Sequence, residues 1–317
     1  MSAVLDDCFL GVEKSLTGKR WLVKKTDERT GLAISQRLYL PEIIGRVMAA
    51  RGVGLEEARS FLDPMLRDLL PDPSRFKDMD AAVGRLAAAV INGETIAVFG
   101  DYDVDGATSA ALLGRYFRAL GVKTMVHIPD RLAEGYGPNI KALMDLKAAG
   151  ASVVVTVDCG ATATEPLSAA RDAGLDVIVV DHHEAEPLLP PAVAVVNPNR
   201  LDEDRLYGHM AAVGVVFLLL VGLNRALRGK GLFKGRAEPD LLQWLDLVAL
   251  GSVCDVVPLS GVNRALVAQG LKVMGRRANA GLRALADIAG INEAPGAYHA
   301  GFILGPRINA GGRIGTP

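Results

Sequence analysis

Five short runs rich in β-branched residues, 96–99, 122–128, 153–157, 177–180 and 193–196, alternate with amphipathic stretches at 107–120, 138–149 and 164–173. This alternation restricts the fold more than any other feature of the chain. Strand and helix in turn are the mark of βαβ units, which build a parallel sheet with helices on both faces. The predicted fold class is therefore α/β, with a helical N-terminal preface and a helical C-terminal part. In such sheets ligands bind outside the carboxyl ends of the strands, so the residues that follow each run carry the functional reading.

Those residues are acidic or histidine. Asp101-Tyr102-Asp103-Val104-Asp105-Gly106 follows the first run, Asp158 the third, and Asp181-His182-His183 the fourth. Carboxylates and imidazoles on one rim are the ligand set of a divalent metal pair. If 101–105 is extended, alternate side chains share a direction, so Asp101, Asp103 and Asp105 converge while Gly106 lets the chain turn into the next helix. A calcium loop or a helix cap is the competing reading of that segment, and the calcium loop lacks its later glutamate ligand. Asp158 by itself reads equally well as a turn former. His182 is expected to point into the cleft as a ligand, with His183 free to touch phosphate or give a proton. Asp181 is placed to orient the loop or one of the histidines. Asp255 stands in the apolar context Val253-Cys254-Asp255-Val256-Val257-Pro258, where a bare carboxylate is costly to bury, which makes it a candidate for a further ligand.

Outside the alternating region the chain divides differently. Residues 1–80 read as a helical extension, with Pro41 opening one helix and Leu55–Leu62 forming another. Residues 81–260 read as the metal-binding α/β domain and 261–317 as a helical segment leading onward. Helices are expected near 209–228, 239–251, 262–275 and 280–289, broken at 251–258. The glycine-rich stretch 305–313 is read as a loop in which Arg307, Asn309 and Arg313 clamp a phosphate. On the loop Glu134-Gly135-Tyr136-Gly137-Pro138, Tyr136 is a candidate for stacking on a base.

Composition excludes several classes. A formal charge of −1 provides no global basic field, so any nucleic-acid contact must be local. Cys8, Cys159 and Cys254 make an odd count without C-x-x-C spacing, which suits a reducing cytoplasm and argues against a disulfide framework. Met1–Leu10 has no basic leader, and the apolar run Met210–Leu223 falls short of the roughly 20 residues a spanning helix needs. It is expected to be a buried core helix, with no membrane partner.

D-Y-D-V-D-G, T-V-D-C-G, D-H-H and G-S-V-C-D-V-V-P-L, in this order and spacing, resemble the DHH phosphoesterase superfamily. E-G-Y-G, N-P-N and G-P-R-I-N-A-G-G-R look like the RecJ-type exonucleases specific for single strands, and the preface is similar to their N-terminal extension. By position, the resemblance implies that Asp103, Asp105, Asp158, His182 and Asp255 bind two divalent ions, Mn²⁺ favoured over Mg²⁺ because histidine is among the ligands. It implies His183 beside them in catalysis, with Asp101 and Asp181 in the same set, and Arg307 and Arg313 on DNA phosphates. The implied reaction is two-metal removal of 5′ nucleotides from single-stranded DNA in recombination and repair, in the cytoplasm and alongside other repair proteins.

RecJ-type chains are expected to continue into a connecting helix, a second domain and an oligonucleotide-binding barrel, none of which follows Pro317. Activity of this chain by itself is thus a separate question. Two rival readings stand beside the resemblance: a superfamily phosphodiesterase for small substrates such as oligoribonucleotides, cyclic dinucleotides or pyrophosphate, and an inactive binding fragment. Preference for substrate length separates the first, and manganese binding the second.

Overall fold

The computed structural model describes residues 8–22 and 27–314, with side chains through Gly312. Two compact units divide the chain, Met1–Met65 and Leu66–Pro317. The first holds α1 (Glu28–Leu38), α2 (Glu42–Ala50) and α3 (Ala58–Leu62) around a small core of Ile34, Met48, Val53 and Ala58. Asp27 caps α1 by accepting the Arg29 amide at 3.0 Å. The expected helix at 55–62 begins only at Ala58, after a turn.

In the second unit, α4 (Leu66–Leu69) and α5 (Met79–Asn92) lead into β1 (Ile96–Gly100), α6 (Val104–Ala119), β2 (Thr124–His127), α7 (Ile140–Ala148), β3 (Val153–Val157), α8 (Thr164–Asp172), β4 (Asp176–Val180) and β5 (Ala194–Val196). There follow α9 (Ala212–Gly229), α10 (Leu245–Cys254), α11 (Gly261–Gly275), α12 (Ala280–Ile288), a π-helical turn His299–Leu304 and α13 (Gly305–Ile314). The five strands are all parallel, in the order β2-β1-β3-β4-β5. The α/β class expected from the alternation is the one observed.

Alternate strand residues separate the two faces, as the period of two requires. Ile96, Val98, Val153, Val155 and Val157 join α5, α6 and α9 in the larger core, while Ala97, Phe99, Val154, Val177 and Val179 pack with α7 and α8. Both faces are covered, which accounts for strands that read as continuous apolar runs. Helix α9, expected near 209–228, spans Ala212–Gly229; the apolar run Met210–Leu223 reads as too short for a span, but the 18 residues of the helix are long and apolar enough to cross a membrane by length and composition. Yet Val215 through Leu220 are all buried, and the helix is the central pillar of the larger core.

Three local expectations change. The segment 101–105 is not extended throughout, because α6 begins at Val104. Helix α10 continues through Gly251–Cys254, so the break comes at Asp255 instead of Gly251. The glycine-rich stretch 305–313 is helix α13, not a loop. Its glycine serves contact there: a Cβ on Gly305 would lie 2.4 Å from Cys254 Sγ, so the small residue lets α13 approach the end of α10.

Candidate metal centre

Strand β1 sends the chain to β2 on one side, while β3, β4 and β5 extend on the other. The strand order therefore reverses between β1 and β3, and open α/β sheets form their crevice at such a point. Asp101 and Asp158, the residues that leave these two strands, flank it.

After Gly100 the backbone bends sharply into α6. Asp103 is the N-cap, its Oδ1 accepting the Gly106 amide at 3.0 Å, and Asp105 falls in the first turn. Gly106 allows the bend by close approach: a Cβ there would meet the Asp101 backbone at 2.4–2.7 Å. Convergence of the three aspartates thus comes from a strand end, a cap and a helical turn. Asp105 is turned inward, where Oδ2 and Oδ1 accept the amides of Ala212 and Val213 at 2.6 and 2.9 Å. It supplies the N-terminal cap that Ala211 cannot give α9.

Asp158 leaves β3 with φ +61°, a left-handed conformation that aspartate tolerates better than most side chains. The Tyr136 hydroxyl holds this turn by donating to the Asp158 carbonyl at 3.1 Å. After β4, Asp181 gathers its own loop: Oδ1 accepts the His182 and His183 amides at 2.8 and 3.2 Å and lies 2.8 Å from His183 Nδ1, while Oδ2 accepts the Ala161 amide at 3.0 Å. His182 lies at the centre of the cluster. Its Nε2 is 3.1 Å from Asp158 Oδ1 and 3.8 Å from Asp105 Oδ2, and its Nδ1 is 3.7 Å from Asp255 Oδ2. Asp255 arrives as the C-cap of α10, which packs against α6 so tightly that a Cβ on Gly251 would meet Thr108 Oγ1 at 2.4 Å and Asp105 Oδ1 at 3.1 Å.

Three overlapping groups have donor atoms within 4.8 Å of one another: Asp101, Asp103 and Asp158; Asp105, His182 and Asp255; and Asp158, His182 and His183. The first two share no residue and leave only His183 over, which gives room for two ions. Among the described residues, the ion pairs reaching Asp105, Asp158 and Asp255 come from His182 and His183. Burial comes first in pushing the Asp105 carboxyl up to about 8, with Asp255 adding to it against the two amides that favour its charge. Burial likewise raises Asp158 well above the carboxylate range, raises Asp255, and lifts Asp101 to about 6. Asp101 Oδ1, Asp158 Oδ1 and His182 Nε2 are buried without a hydrogen-bond partner. Crowded, desolvated carboxylates with orphaned atoms are costly unless a cation neutralises them, so the residues present fit a divalent metal site. Burial lowers the His182 pKa, keeping it neutral as a ligand must be, whereas the bond from Asp181 raises His183.

Around the cluster the sequence reading was incomplete. Asn197 Nδ2 donates to the His183 carbonyl at 2.8 Å and Asn199 Nδ2 to the His182 carbonyl at 2.5 Å, so the N-P-N segment after β5 pins the histidine loop. The exposed Arg131 guanidinium lies over the Tyr102 ring, 4.9 Å from its centroid, beside the aspartates. Its signal, one arginine in a loop on the strand rim, is too common to single out. Tyr136 is 54% exposed, with its hydroxyl engaged with the Asp158 carbonyl. Arg307 donates to the Ile303 carbonyl of the preceding π-helical turn at 2.7 Å and makes no described contact with the cluster. Asn309 Oδ1 is buried without a partner. The Arg313 side chain lies outside the described residues. Cys159 and Cys254 pack beside the site as unpaired thiols, Cys254 pushed by burial up to about 12.

Residues 95–252 match the DHH family, N-terminal domain. The chain is 41% identical over 282 residues to the single-stranded-DNA-specific exonuclease RecJ of Salmonella typhimurium, covering 87% of this chain and 48% of that one. To RecJ of Bacillus subtilis it is 36% identical over 298 residues, covering 93% of this chain and 36% of the relative. Thermus thermophilus RecJ, solved in complex with Mn²⁺, superposes with a TM-score of 0.74 at 31% identity over 92% of this chain and 40% of that structure. The chain thus spans half or less of these relatives. With a family domain over the sheet and its acidic rim, and RecJ-like sequence over most of its length, the chain belongs to the DHH family.

Proposed function

We propose that this chain hydrolyses phosphodiester bonds of single-stranded DNA from the 5′ end, using two divalent ions, Mn²⁺ in preference to Mg²⁺. The observation that carries the reading is the cluster of buried and half-buried aspartates with His182 and His183, with no lysine or arginine salt bridge to it among the described residues, at the β1/β3 crevice of a RecJ-like chain. Asp101, Asp103 and Asp158 would hold one ion and Asp105, His182 and Asp255 the other. Once bound, such ions supply Lewis acidity at phosphoryl oxygen and a nucleophile at neutral pH.

The rest of the site prepares that chemistry. Asp181 fixes the His183 ring through Nδ1, which leaves Nε2 as the atom that carries a proton to or from the reacting group. The same hydrogen bond raises the His183 pKa. Tyr136 supports the Asp158 turn and offers a ring edge to His183, at 6.0 Å between centroids. Arg131 presents a cation at the rim for a strand phosphate, and helix α13, which carries Arg307, Asn309 and Arg313, would extend that path, since a Cβ on Gly312 would meet the Tyr102 carbonyl at 3.0 Å. We place this work in the cytoplasm, with recombination and repair proteins as partners.

The test is nucleotide release from 5′-phosphorylated single-stranded DNA in Mn²⁺, with blunt duplex, a short oligoribonucleotide and a cyclic dinucleotide alongside. Release from the single strand only, lost by roughly a thousandfold or more in Asp158→Asn as expected for a residue acting directly on the metal, is the expected result. Near-normal release by Asp158→Asn, or preference for the small substrates, would overturn the reading.

A further inference from the structure

The loop from Ile128 to Asn139, between β2 and α7, crosses the carboxyl rim and carries Arg131 and Tyr136 to the metal cluster. Gly135 and Gly137 both have positive φ, at 82° and 78°, with open space around them, so the chain here has little intrinsic preference for one path. One side chain ties it down. Glu134 Oε1 accepts the Asp130 amide at 3.0 Å, while Oε2 lies 3.0 Å from His127 Nε2 and accepts Asn139 Nδ2 at 3.2 Å. His127 is the last residue of β2 and packs on Phe99 at 5.1 Å between ring centroids; Asn139 is the N-cap of α7. A single carboxylate therefore joins the end of the strand, the turn that bears Arg131 and the start of the next helix. The turn closes on itself as well, with the Glu134 amide donating to the Asp130 carbonyl at 2.7 Å and Asp130 Oδ1 accepting the Leu132 and Ala133 amides at 2.8 and 3.0 Å. The described bonds of the Glu134 side chain all go to His127, Asp130 and Asn139, none of them a member of the aspartate cluster, so its part is mechanical.

We infer that Glu134 is a positioning residue that fastens the 128–139 loop across the rim, holding Arg131 over Tyr102 and Tyr136 against Asp158, and thereby sets the grip on the strand. The last clause rests on the function proposed above. An ionised acceptor with three donors is the strong kind of hydrogen bonding, and its loss leaves the glycine-hinged segment free to move. Consistent with this, the bonds from Asp130, His127 and Asn139 hold the Glu134 carboxyl below its ordinary value although burial pushes the other way.

The experiment measures amide hydrogen exchange by mass spectrometry on the full chain with Mn²⁺, together with KM and kcat for release from a 5′-phosphorylated single strand. Glu134→Gln, which keeps the volume but cannot accept three donors, is expected to speed exchange across 130–139 about tenfold and to leave other segments unchanged. KM should rise about tenfold while kcat stays within about twofold, because the ligands are untouched. His127→Phe keeps the ring on Phe99 and removes only the donor, so it should move both readouts in the same direction, by less; it remains informative if Glu134→Gln folds poorly. Unchanged exchange in both variants would overturn the fastening. Faster exchange with unchanged KM would overturn its effect on the strand. A wild-type chain that releases nothing would sink the proposed function and the strand grip with it, while the exchange rates would still decide whether Glu134 holds the loop.

Discussion

Asp105 and Asp158 are neighbours in the cluster with different structural debts. Asp105 accepts two amides at the start of α9, so Asp105→Ala removes a helix cap as well as a ligand and should cost about 2 kcal/mol in chelator. Asp158 is a buried carboxylate with an orphaned oxygen. Asp158→Asn should therefore leave the metal-free chain as stable as the wild type or more so, although activity is lost; thermal unfolding in EDTA at pH 8 checks the contrast. The pH dependence follows the same logic. Asp105 is raised to about 8 in the folded chain from about 4 unfolded, so between these values the folded state binds a proton that the unfolded chain lacks. Stability without metal must then fall as pH rises through that window. Mn²⁺ competes with that proton, so the gain in melting temperature on adding Mn²⁺ should be larger at pH 8 than at pH 5. A gain that shrinks with rising pH would contradict the assignment. At this scale the ligand types were legible in the sequence, because Asp and His after β-branched runs can only gather on one rim. The cap role of Asp105 was not, since its partners lie more than a hundred residues away.

Among the elements, the close approach of α10 to α6 brings Asp255 to the crevice. Gly251→Ala puts a methyl group where Thr108 and Asp105 stand, and should destabilise the fold by about 1–3 kcal/mol while weakening Mn²⁺ binding, which titration calorimetry on the folded variant would detect. Unaltered Mn²⁺ affinity would show that α10 can shift without disturbing Asp255. Helix α9 offers the companion case from the core. Leu219 is fully buried in its middle, so Leu219→Ala should cost about 2–5 kcal/mol, measurable by urea unfolding. Helices and strands with strong periodicity were legible, and α13 shows where periodicity misleads. Gly305, Gly311 and Gly312 favour a loop by propensity, yet the stretch is helical, with Gly305 packed against Cys254 and Gly312 against the Tyr102 backbone, where a side chain would not fit. The helix penalty of a glycine is about 1 kcal/mol, and packing readily outweighs it.

For the whole molecule, the ions should act as part of the fold. Four strand and helix ends meet at the cluster with their carboxylates mutually repelled, so adding Mn²⁺ at a hundred times its dissociation constant should stabilise the chain by about 2.7 kcal/mol per site. A melting temperature indifferent to Mn²⁺ would mean that the cluster is not the binding site. The parallel α/β sheet was determined by the sequence alone, because period-two apolar runs alternating with amphipathic helices have few other ways to bury both faces. So was the presence of Asp and His at the strand ends. Tertiary structure decided what those residues do together: that the strand order reverses between β1 and β3, that His182 lies within reach of Asp105, Asp158 and Asp255, and that Glu134 ties a glycine-hinged loop over them. Periodicity is a local property that a stretch of chain carries in itself, whereas the His182 contacts join residues tens of positions apart, and the Glu134 bonds, though short in sequence, join the end of β2 to the start of α7, whose meeting is set only once the core has closed.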